Sequence, residues 1–473
     1  MVDWSEVETR GADFGDARLD ARLPTIVKRL GDRPSVSIPA ACGTPAETTA
    51  AYRFFGNPKA TPAAVLEPHA KATLDRMRAH PVVLVAQDTT ELDLTRPAER
   101  VGGPLNDDTR WGLFAHPLLA MTPDRVPLGV LGADLWGRDP AAFARSPAEK
   151  RKDRKSKPLA GKESGRWRSG YRQIGAAADT VPGTAVVAVS DSEGDIYECL
   201  QAGQTGSAAF IIRACQDRAV LTEDQPHLFQ VLARKKALGK IQVQVSKRLA
   251  STSNGRRRLL PRAARTAKLT IRSARVRLRG PARAGGKLAD QDVNVVIARE
   301  ERPPAGAEPV AWVLFTSLPV GTFAEAQQVL DYYACRWEIE VYFRTLKDGC
   351  RVEGLPFERQ DRYEVCLAVY LIVAWRVLYL LMRGRAEPGL CCTAVRTAAE
   401  WQSVYVLAYG PGAPAEPPTL GAMVVLIAKL GGYLGRKADG PPGPKALWIG
   451  LQRMRDYAIA WTAFAPKNPG RDV

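Results

Sequence analysis

Two apolar runs decide the fold, VVLVAQDTT at residues 82–90 and AVVAVSD at residues 185–191. Each has the length and the uninterrupted apolar character of a central strand that is buried on both faces. Each also places an aspartate where the chain leaves the strand, Asp88 after the first run and Asp191 after the second. Active sites of open α/β sheets collect at such strand ends. We therefore predict an α/β fold in which Asp88 and Asp191 are candidate functional residues.

The segments around these two strands differ in character along the chain. Residues 1–75 have the charged helical faces of a small helical region, and residues 216–309 are β-rich and basic. A strand at residues 310–317 is followed by helical periodicity from near Phe323 to about Arg385. Helical segments with glycine and proline breaks complete the chain. We expect two to four domains, because 473 residues exceed one ordinary core.

The charge of the chain is its most informative bulk property. A formal net charge of +17 favours a polyanionic partner, of which nucleic acid is the commonest, although a basic enzyme is the alternative. Residues 246–287 contain fourteen Lys or Arg and no Asp or Glu. Within them, residues 274–279 (ARVRLR) predict a strand with one apolar face and one face of three arginines. This basic insertion is either a solvated surface or a phosphate-binding face.

Other patterns argue against several classes of protein. The eight cysteines form no CxxC pair, and with four histidines there is no zinc-binding spacing. Scattered single cysteines indicate a reducing cytosol, and the polar N-terminus is not that of a secretory signal. The longest apolar run, residues 366–374, is far shorter than the roughly 20 residues that span a bilayer. We interpret it as a buried helix and expect no membrane partner.

The most specific signal is the segment DYYACRWEIEVYFRTLKDGC at residues 331–350. Tyr333, Arg336, Glu340 and Lys347 follow one another at steps of three, four and seven residues, which keeps them on one face of a helix. A tyrosine, two cations and a carboxylate make a poor core stripe. They indicate a metal-binding carboxylate among phosphate-binding groups, or else a solvated face with ion pairs.

This spacing, Tyr-x2-Arg-x3-Glu-x6-Lys, resembles the YREK signature of the insertion-sequence-four family of bacterial DDE transposases, the family of the transposon-five transposase. The resemblance covers nearly the whole chain. Asp88-Thr89-Thr90 looks like the first catalytic aspartate of the family, and Asp191 in SDSEGDIYECLQ looks like the second. The segments LGGYLGRK and ALWIGLQRM resemble the C-terminal dimerisation region.

The resemblance implies a ribonuclease-H-like catalytic core with a β-rich insertion. It also implies a helical DNA-binding domain before the core and a helical dimerisation region after it. The corresponding boundaries are 1–75 for the DNA-binding domain, 76–215 and 310–385 for the core, 216–309 for the insertion and 386–473 for the dimerisation region.

Such an enzyme would carry out cut-and-paste transposition in the bacterial cytoplasm, in association with the nucleoid. It would bind double-stranded transposon ends as a homodimer in a synaptic complex and cleave them through a hairpin intermediate. It would then join the 3′-hydroxyl ends to target DNA. A nuclease without strand transfer and an inactive or domesticated DNA-binding protein of the same fold are the alternatives.

The resemblance also implies a catalytic triad of Asp88, Asp191 and Glu340 that binds two Mg²⁺ ions, with Mn²⁺ as a substitute. Two ions about 3.5–4 Å apart activate the attacking oxygen and neutralise the leaving oxygen. Magnesium usually needs only one or two carboxylates in addition to substrate phosphates. Asp88 would bridge the ions, and Asp191 and Glu340 would each complete one site.

Four further residues are expected to contact the DNA backbone. Arg336 and Lys347 would bind phosphates beside the metal site, and Tyr333 would either bind a phosphate or serve local packing. Arg213 matches a family arginine that contacts DNA. Cys215, two residues further on, replaces a lysine of the best-known member, so the chain departs from the family pattern where the hairpin is handled.

Two tryptophans are candidates for stacking on a base. Trp312 matches a family tryptophan that receives a flipped base, although a core tryptophan on a buried strand would give the same pattern. Trp337, inside the signature, is a second candidate.

Three other carboxylates lie close to the triad in the sequence, namely Asp93, Asp195 and Glu338. Glu338 would fall on a different helix face from Arg336 and Lys347, which favours Glu340. Asp195 is expected to cap or pair with groups on the following helix.

The basic character of the chain generates a first prediction. If many cations displace counterions from DNA, the affinity for a duplex should fall roughly a thousandfold or more between about 50 and 200 mM salt. Fluorescence anisotropy with a labelled duplex over a salt series measures this slope. A nearly flat dependence would contradict the interpretation of residues 246–287 as a phosphate-binding face.

Overall fold

The computed structural model describes residues 3–464 apart from 97–100, 107–108, 144, 147, 150, 153–160, 223, 225–226, 248–260, 284–285 and 437–438. Its strands are β1 (Val82–Gln87), β2 (Thr90–Asp93), β3 (Gly103–Pro104), β4 (Trp111–Met121), β5 (Pro127–Trp136), β6 (Ala185–Ser190), β7 (Ala209–Arg213), β8 (Gly239–Val245), β9 (Arg265–Leu278), β10 (Ala282–Arg283), β11 (Gly286–Lys287), β12 (Gln291–Glu300) and β13 (Ala311–Thr316). Its helices are α1 (Trp4–Glu8), α2 (Ala17–Asp32), α3 (Ile38–Cys42), α4 (Pro45–Phe55), α5 (Pro62–Met77), α6 (Pro140–Phe143), α7 (Gly165–Thr180), α8 (Tyr197–Thr205), α9 (Leu228–Arg234), α10 (Phe323–Cys335), α11 (Glu338–Arg344), α12 (Gln360–Ala386), α13 (Ala398–Tyr409), α14 (Leu420–Leu430) and α15 (Pro444–Phe464).

The half of the sheet that contains the two predicted central strands has the strand order β5-β4-β1-β6-β7. The β4 strand pairs antiparallel with β1 and with β5, whereas β6 lies parallel to both β1 and β7. This mixed sheet, with helices packed against it, is the predicted α/β, ribonuclease-H-like arrangement. The predicted strands at both aspartates are confirmed, and their apolar residues are buried because the sheet is covered on both faces.

The basic insertion extends the same sheet. The β13 strand pairs with β7 and continues through β12 and β9 to β8. The predicted alternation in β9 is confirmed, since Ala274, Val276 and Leu278 are buried while Arg275 and Arg277 are exposed. Residues 248–260, which hold four of the fourteen cations, lie outside the described residues.

The α12 helix is the apolar centre of the protein. It contains the predicted buried run at residues 366–374, all of which is buried, and it contacts α2, α5 and β5 as well as α14 and α15. By length and composition it could cross a bilayer, but 94% of its most apolar window is buried inside the protein. It is therefore a core helix that joins the N-terminal, central and C-terminal regions.

The prediction of continuous helical structure from Phe323 to Arg385 is wrong in its middle. A tight turn separates α10 from α11, where Arg336 N–H donates to the Tyr333 carbonyl at 3.0 Å, three residues back in the chain. Residues Thr345–Gly349 then form a wide π-turn, and irregular chain separates it from α12. Mid-helix irregularities of this kind are frequent at functional sites, because they re-aim side chains.

Candidate active site

The first two carboxylates are brought together by strand pairing. The parallel register of β1 and β6 places Gln87 opposite Ser190, so that the next residue of each strand is Asp88 and Asp191 respectively. Parallel neighbours lie about 4.8 Å apart. Both aspartates therefore leave the sheet side by side at one edge, as expected for the carboxyl ends of parallel strands.

A proline explains why Asp88 is released from the sheet. The β1 and β2 strands both pair with β4 in one continuous register, and the interruption at Asp88-Thr89 falls opposite Pro117 and His116. Because Pro117 has no N–H, it cannot donate a ladder hydrogen bond at this point. This interruption of the pairing allows the Asp88 side chain to leave the sheet and face the turn between α10 and α11.

Arg336 joins the third carboxylate to the first. Its Nη1 atom donates to Asp88 Oδ2 at 2.8 Å and lies 3.5 Å from Glu340 Oε1. Its side chain is 11% exposed and that of Asp88 is 10% exposed, whereas Glu340 is 40% exposed at the solvent side. The i,i+4 ion pair between Arg336 and Glu340 that the sequence predicted is therefore present, although a turn interrupts the helix.

The pKa values indicate that all three carboxylates face one space. Burial, with the charges of Asp191 and Glu340, raises the pKa of Asp88 to about 7, although Arg336 opposes this shift. Burial lowers the pKa of the Arg336 guanidinium, but Tyr333 and the three carboxylates overcome this effect and raise it. One cation thus neutralises part of an acidic cluster that holds more negative than positive charge.

The donor chemistry of this cluster fits a hard divalent cation. All its ligand candidates are carboxylate oxygens, which magnesium and manganese prefer. Within the part of the chain that the structure describes, no group of three or more His, Cys, Asp or Glu is arranged to hold one ion. A site with two carboxylates per ion and substrate phosphates as the remaining ligands is compatible with this arrangement.

A buried polar layer supports the two strand ends and was not predicted from the sequence. His116 Nδ1 lies 2.8 Å from Thr89 Oγ1 and its Nε2 lies 3.2 Å from Gln87 Oε1. On the neighbouring strand, the Tyr171 hydroxyl lies 2.7 Å from Ser190 Oγ. The one available signal was a histidine inside the apolar strand WGLFAHPLLAM, where an isolated polar residue needs a partner.

Three of the predicted DNA-contact residues form a second cluster beside Arg336. Tyr333 is buried and 6.2 Å from the Trp312 ring, centroid to centroid. Burial raises the pKa of Tyr333, while the neighbouring Arg336 and Arg213 lower it. Arg213 reaches this cluster because β7 pairs with β13. The buried Tyr333 ring serves local packing, and a phosphate contact through its hydroxyl stays a prediction.

The other two predicted DNA-contact residues lie apart from this cluster. Trp337 is 57% exposed at the start of α11. Lys347 is half-buried in the π-turn. Both are open to a ligand that approaches from solvent.

The three competing carboxylates are engaged elsewhere. Glu338 is buried and pairs with Arg125 at 3.2 Å. Asp195 pairs with Arg218 and accepts the backbone N–H groups of Cys215 and Gln216. Its partners therefore follow β7, and not the next helix as the sequence suggested.

The remaining candidate, Asp93, lies on β2. Its carboxylate is 3.7 Å from Arg110, and it accepts the Thr95 N–H. These contacts hold Asp93 on the surface of β2, and Asp88 is the aspartate that interacts with Arg336.

Comparison with known proteins gives three consecutive family matches. Residues 1–60 match the family described as Transposase DNA-binding, residues 149–375 match Transposase DDE domain, and residues 372–463 match Transposase Tn5 dimerisation domain. Asp191 and Glu340 lie within the DDE match, and Asp88 precedes it.

One solved structure is similar over part of the chain. It is a cryo-electron-microscopy structure of the piggyBac transposase synaptic complex with hairpin DNA, at 9% identity and a TM-score of 0.28. The similarity covers 65% of this chain and 54% of that chain.

The buried layer generates a prediction about protonation. Burial, with a smaller contribution from Arg166, lowers the pKa of His116 to about 3. His116 should therefore remain neutral as the pH falls from 7.5 to 5.0. Histidine-selective NMR, with His116→Asn for assignment, measures this directly. A shift of the His116 resonance to the imidazolium position within this range would contradict the buried arrangement.

Proposed function

Because this chain belongs to the insertion-sequence-four family of DDE transposases related to the Tn5 transposase, we propose that it moves a DNA segment by cut-and-paste transposition. Asp88, Asp191 and Glu340 are the catalytic carboxylates of this activity. The observation that carries this assignment is the position of Arg336, which interacts with Asp88 and Glu340 directly and is influenced by the charge of Asp191.

The three carboxylates would hold two divalent metal ions, which supply electrostatic activation of the attacking oxygen and stabilisation of the leaving oxygen. Asp88 would contribute to both ion sites, because the charges of Asp191 on the neighbouring strand and of Glu340 on α11 both act on it. Burial, followed by the charges of Asp191 and Glu340, raises the pKa of Asp88, and a bound cation would offset this cost of its charged form, which supports this role.

The side chains around the carboxylates would orient the DNA. Arg336 and Arg213 carry guanidinium groups that match phosphate oxygens, and Lys347 adds a third cation at the rim. Binding in this orientation excludes alternative lines of attack on the phosphodiester. The nucleophile is water during cleavage and a DNA 3′-hydroxyl during joining, so one site serves both reactions without a covalent enzyme intermediate.

Base stacking would accompany the hairpin step. Trp312 packs against Tyr333, and its half-buried ring is the proposed receptor for a flipped base. The exposed Trp337 provides a second stacking surface. The best-known member of the family has a lysine at the position of Cys215. This part of the site therefore has one cation fewer in the present chain.

The remaining parts of the chain support recognition and assembly. We assign end recognition to the N-terminal helices and non-specific phosphate binding to the exposed Arg275 and Arg277 on β9. The C-terminal helices expose large apolar side chains, which support a homodimer interface. These are Leu407, Tyr409, Tyr457, Ile459 and Phe464. The protein would act in the cytoplasm, at the nucleoid.

The triad assignment is tested with alanine variants. Asp88→Ala, Asp191→Ala and Glu340→Ala should each lower cleavage and end joining by a factor of 10² or more, by order of magnitude, because transition-state charge is no longer neutralised. Binding of the transposon end should remain. The assays are cleavage of an intact transposon end and joining of a pre-cut end, both with Mg²⁺, beside anisotropy for binding.

Asp348→Ala is the matched control, because Asp348 is an exposed carboxylate close to Glu340 in sequence. It should retain wild-type activity. Near wild-type joining by any of the three triad variants would refute the assignment. Cleavage by the wild-type protein without any joining would instead identify a nuclease.

A further inference from the structure

A cavity of about 440 Å³ lies where three regions of the chain meet, and its lining does not include Asp88, Asp191 or Glu340. The N-terminal helices contribute Trp4 and Lys28, the core helix α12 contributes Arg376, and the C-terminal region contributes Arg396 and Arg455. Cavities of this size accommodate small-molecule ligands.

The charges that line this cavity do not balance. Six cationic side chains face four carboxylates, which leaves two positive charges. The cations are Lys28, Arg76, Arg376, Arg383, Arg396 and Arg455, and the carboxylates are Asp3, Glu8, Asp32 and Glu400.

Four of the six cations have carboxylate partners. Lys28 pairs with Asp3, Arg76 with Glu8, Arg455 with Asp32, and Arg383 with Glu387 just outside the cavity. The corresponding ion pairs are all within 4 Å. The fourth lining carboxylate, Glu400, accepts the Thr397 N–H at 2.9 Å and caps α13.

The two remaining guanidiniums have no ion pair or side-chain hydrogen bond within the described residues. Arg396 is only 7% exposed, so it is nine-tenths buried. Arg376 lies over the rings of Trp4 and Tyr379 at 5.3 and 5.5 Å. Burial, with the repulsion from Arg396, lowers the pKa of Arg376 to about 10, although Tyr379, Glu8 and Glu400 oppose this shift. The charges of Glu400 and Asp32 also act on Arg396, but neither carboxylate accepts a hydrogen bond from it. A buried guanidinium without a hydrogen-bond acceptor is costly, and it is expected where a ligand completes the site.

We propose that this cavity binds a small molecule bearing a phosphate group, held between Arg376 and Arg396. Guanidinium forks match phosphate oxygens in a bidentate geometry, and a phosphate group supplies the negative charge that the cavity still lacks once Glu387 is counted with its four lining carboxylates. The cavity exceeds a bare phosphate, and Trp4, Tyr379 and Leu380 offer an apolar surface for the organic part. A DNA backbone phosphate is attached to a wide duplex, which fits a recessed site less well.

Such a ligand would connect the three regions that form the cavity. The site contains residues from the DNA-binding match, from α12 and from the dimerisation match. Binding would stabilise their present arrangement by mass action. The site is separate from the carboxylates, so its test does not depend on transposase activity.

The test uses the full-length protein with inorganic phosphate and with a nucleoside monophosphate. Thermal unfolding and calorimetry are measured at constant ionic strength against sodium chloride. We expect a saturable rise in Tm with each probe and at least tenfold weaker binding by Arg376→Met and by Arg396→Met. Either variant suffices if the other does not fold. Lys28→Met, which lines the same cavity but removes a cation that is paired with Asp3, should bind as the wild type does.

Three outcomes would overturn the proposal. The first is a Tm rise no larger than that with chloride. The second is equal loss of binding in all three variants, which would indicate a general charge effect. The third is weakened duplex binding by Arg376→Met and Arg396→Met while both small probes leave Tm unchanged, which would identify DNA as the source of the phosphate.

Discussion

The parallel pairing of β1 with β6 is the constraint on which the site depends. In-register pairing makes two strands end together and places Asp88 beside Asp191. Burial, with the charges of Asp191 and Glu340, raises the pKa of Asp88 to about 7, so its charged form is disfavoured when no cation is bound. Arg336, at the turn between α10 and α11, offsets part of this effect. The protein therefore maintains a locally unfavourable charge arrangement, as expected of a site that binds cations.

The rest of the fold holds these parts in position. Buried apolar residues on both faces of β1 and β6 oppose slipping of the strands, because a shift of one residue would exchange the side chains that pack on the two faces. His116 and Tyr171 fill the layer beneath the strand ends with paired polar groups. The α12 helix packs against regions on both sides of the core, so the N-terminal and C-terminal parts share one apolar centre.

Patterns local in sequence predicted much of this arrangement. The apolar runs that end at Asp88 and Asp191 predicted two central strands with their carboxylates at the ends, and the alternation in β9 predicted its exposed arginines. The Arg336–Glu340 pair followed from helical spacing. The contact between Arg336 and Asp88 was not predicted, because the two residues are 248 positions apart and periodicity carries no tertiary information.

Other features required the three-dimensional structure for the same reason. The role of Pro117 depends on which strand lies opposite it. The absence of an ion pair for Arg376 and Arg396 among the described residues depends on where three distant segments meet. The insertion was predicted as β-rich, but its extension of the central sheet depends on the pairing of β13 with β7. Neither composition nor spacing specifies such pairings.

The most direct test of a shared metal site is affinity cleavage with Fe²⁺ in place of Mg²⁺, since radicals generated at the bound ion cut the nearby backbone. Cleavage should occur together near Asp88, Asp191 and Glu340, and excess Mg²⁺ should suppress all three cuts. Cleavage confined to one of these segments, or located elsewhere in the chain, would contradict the convergence of the three carboxylates.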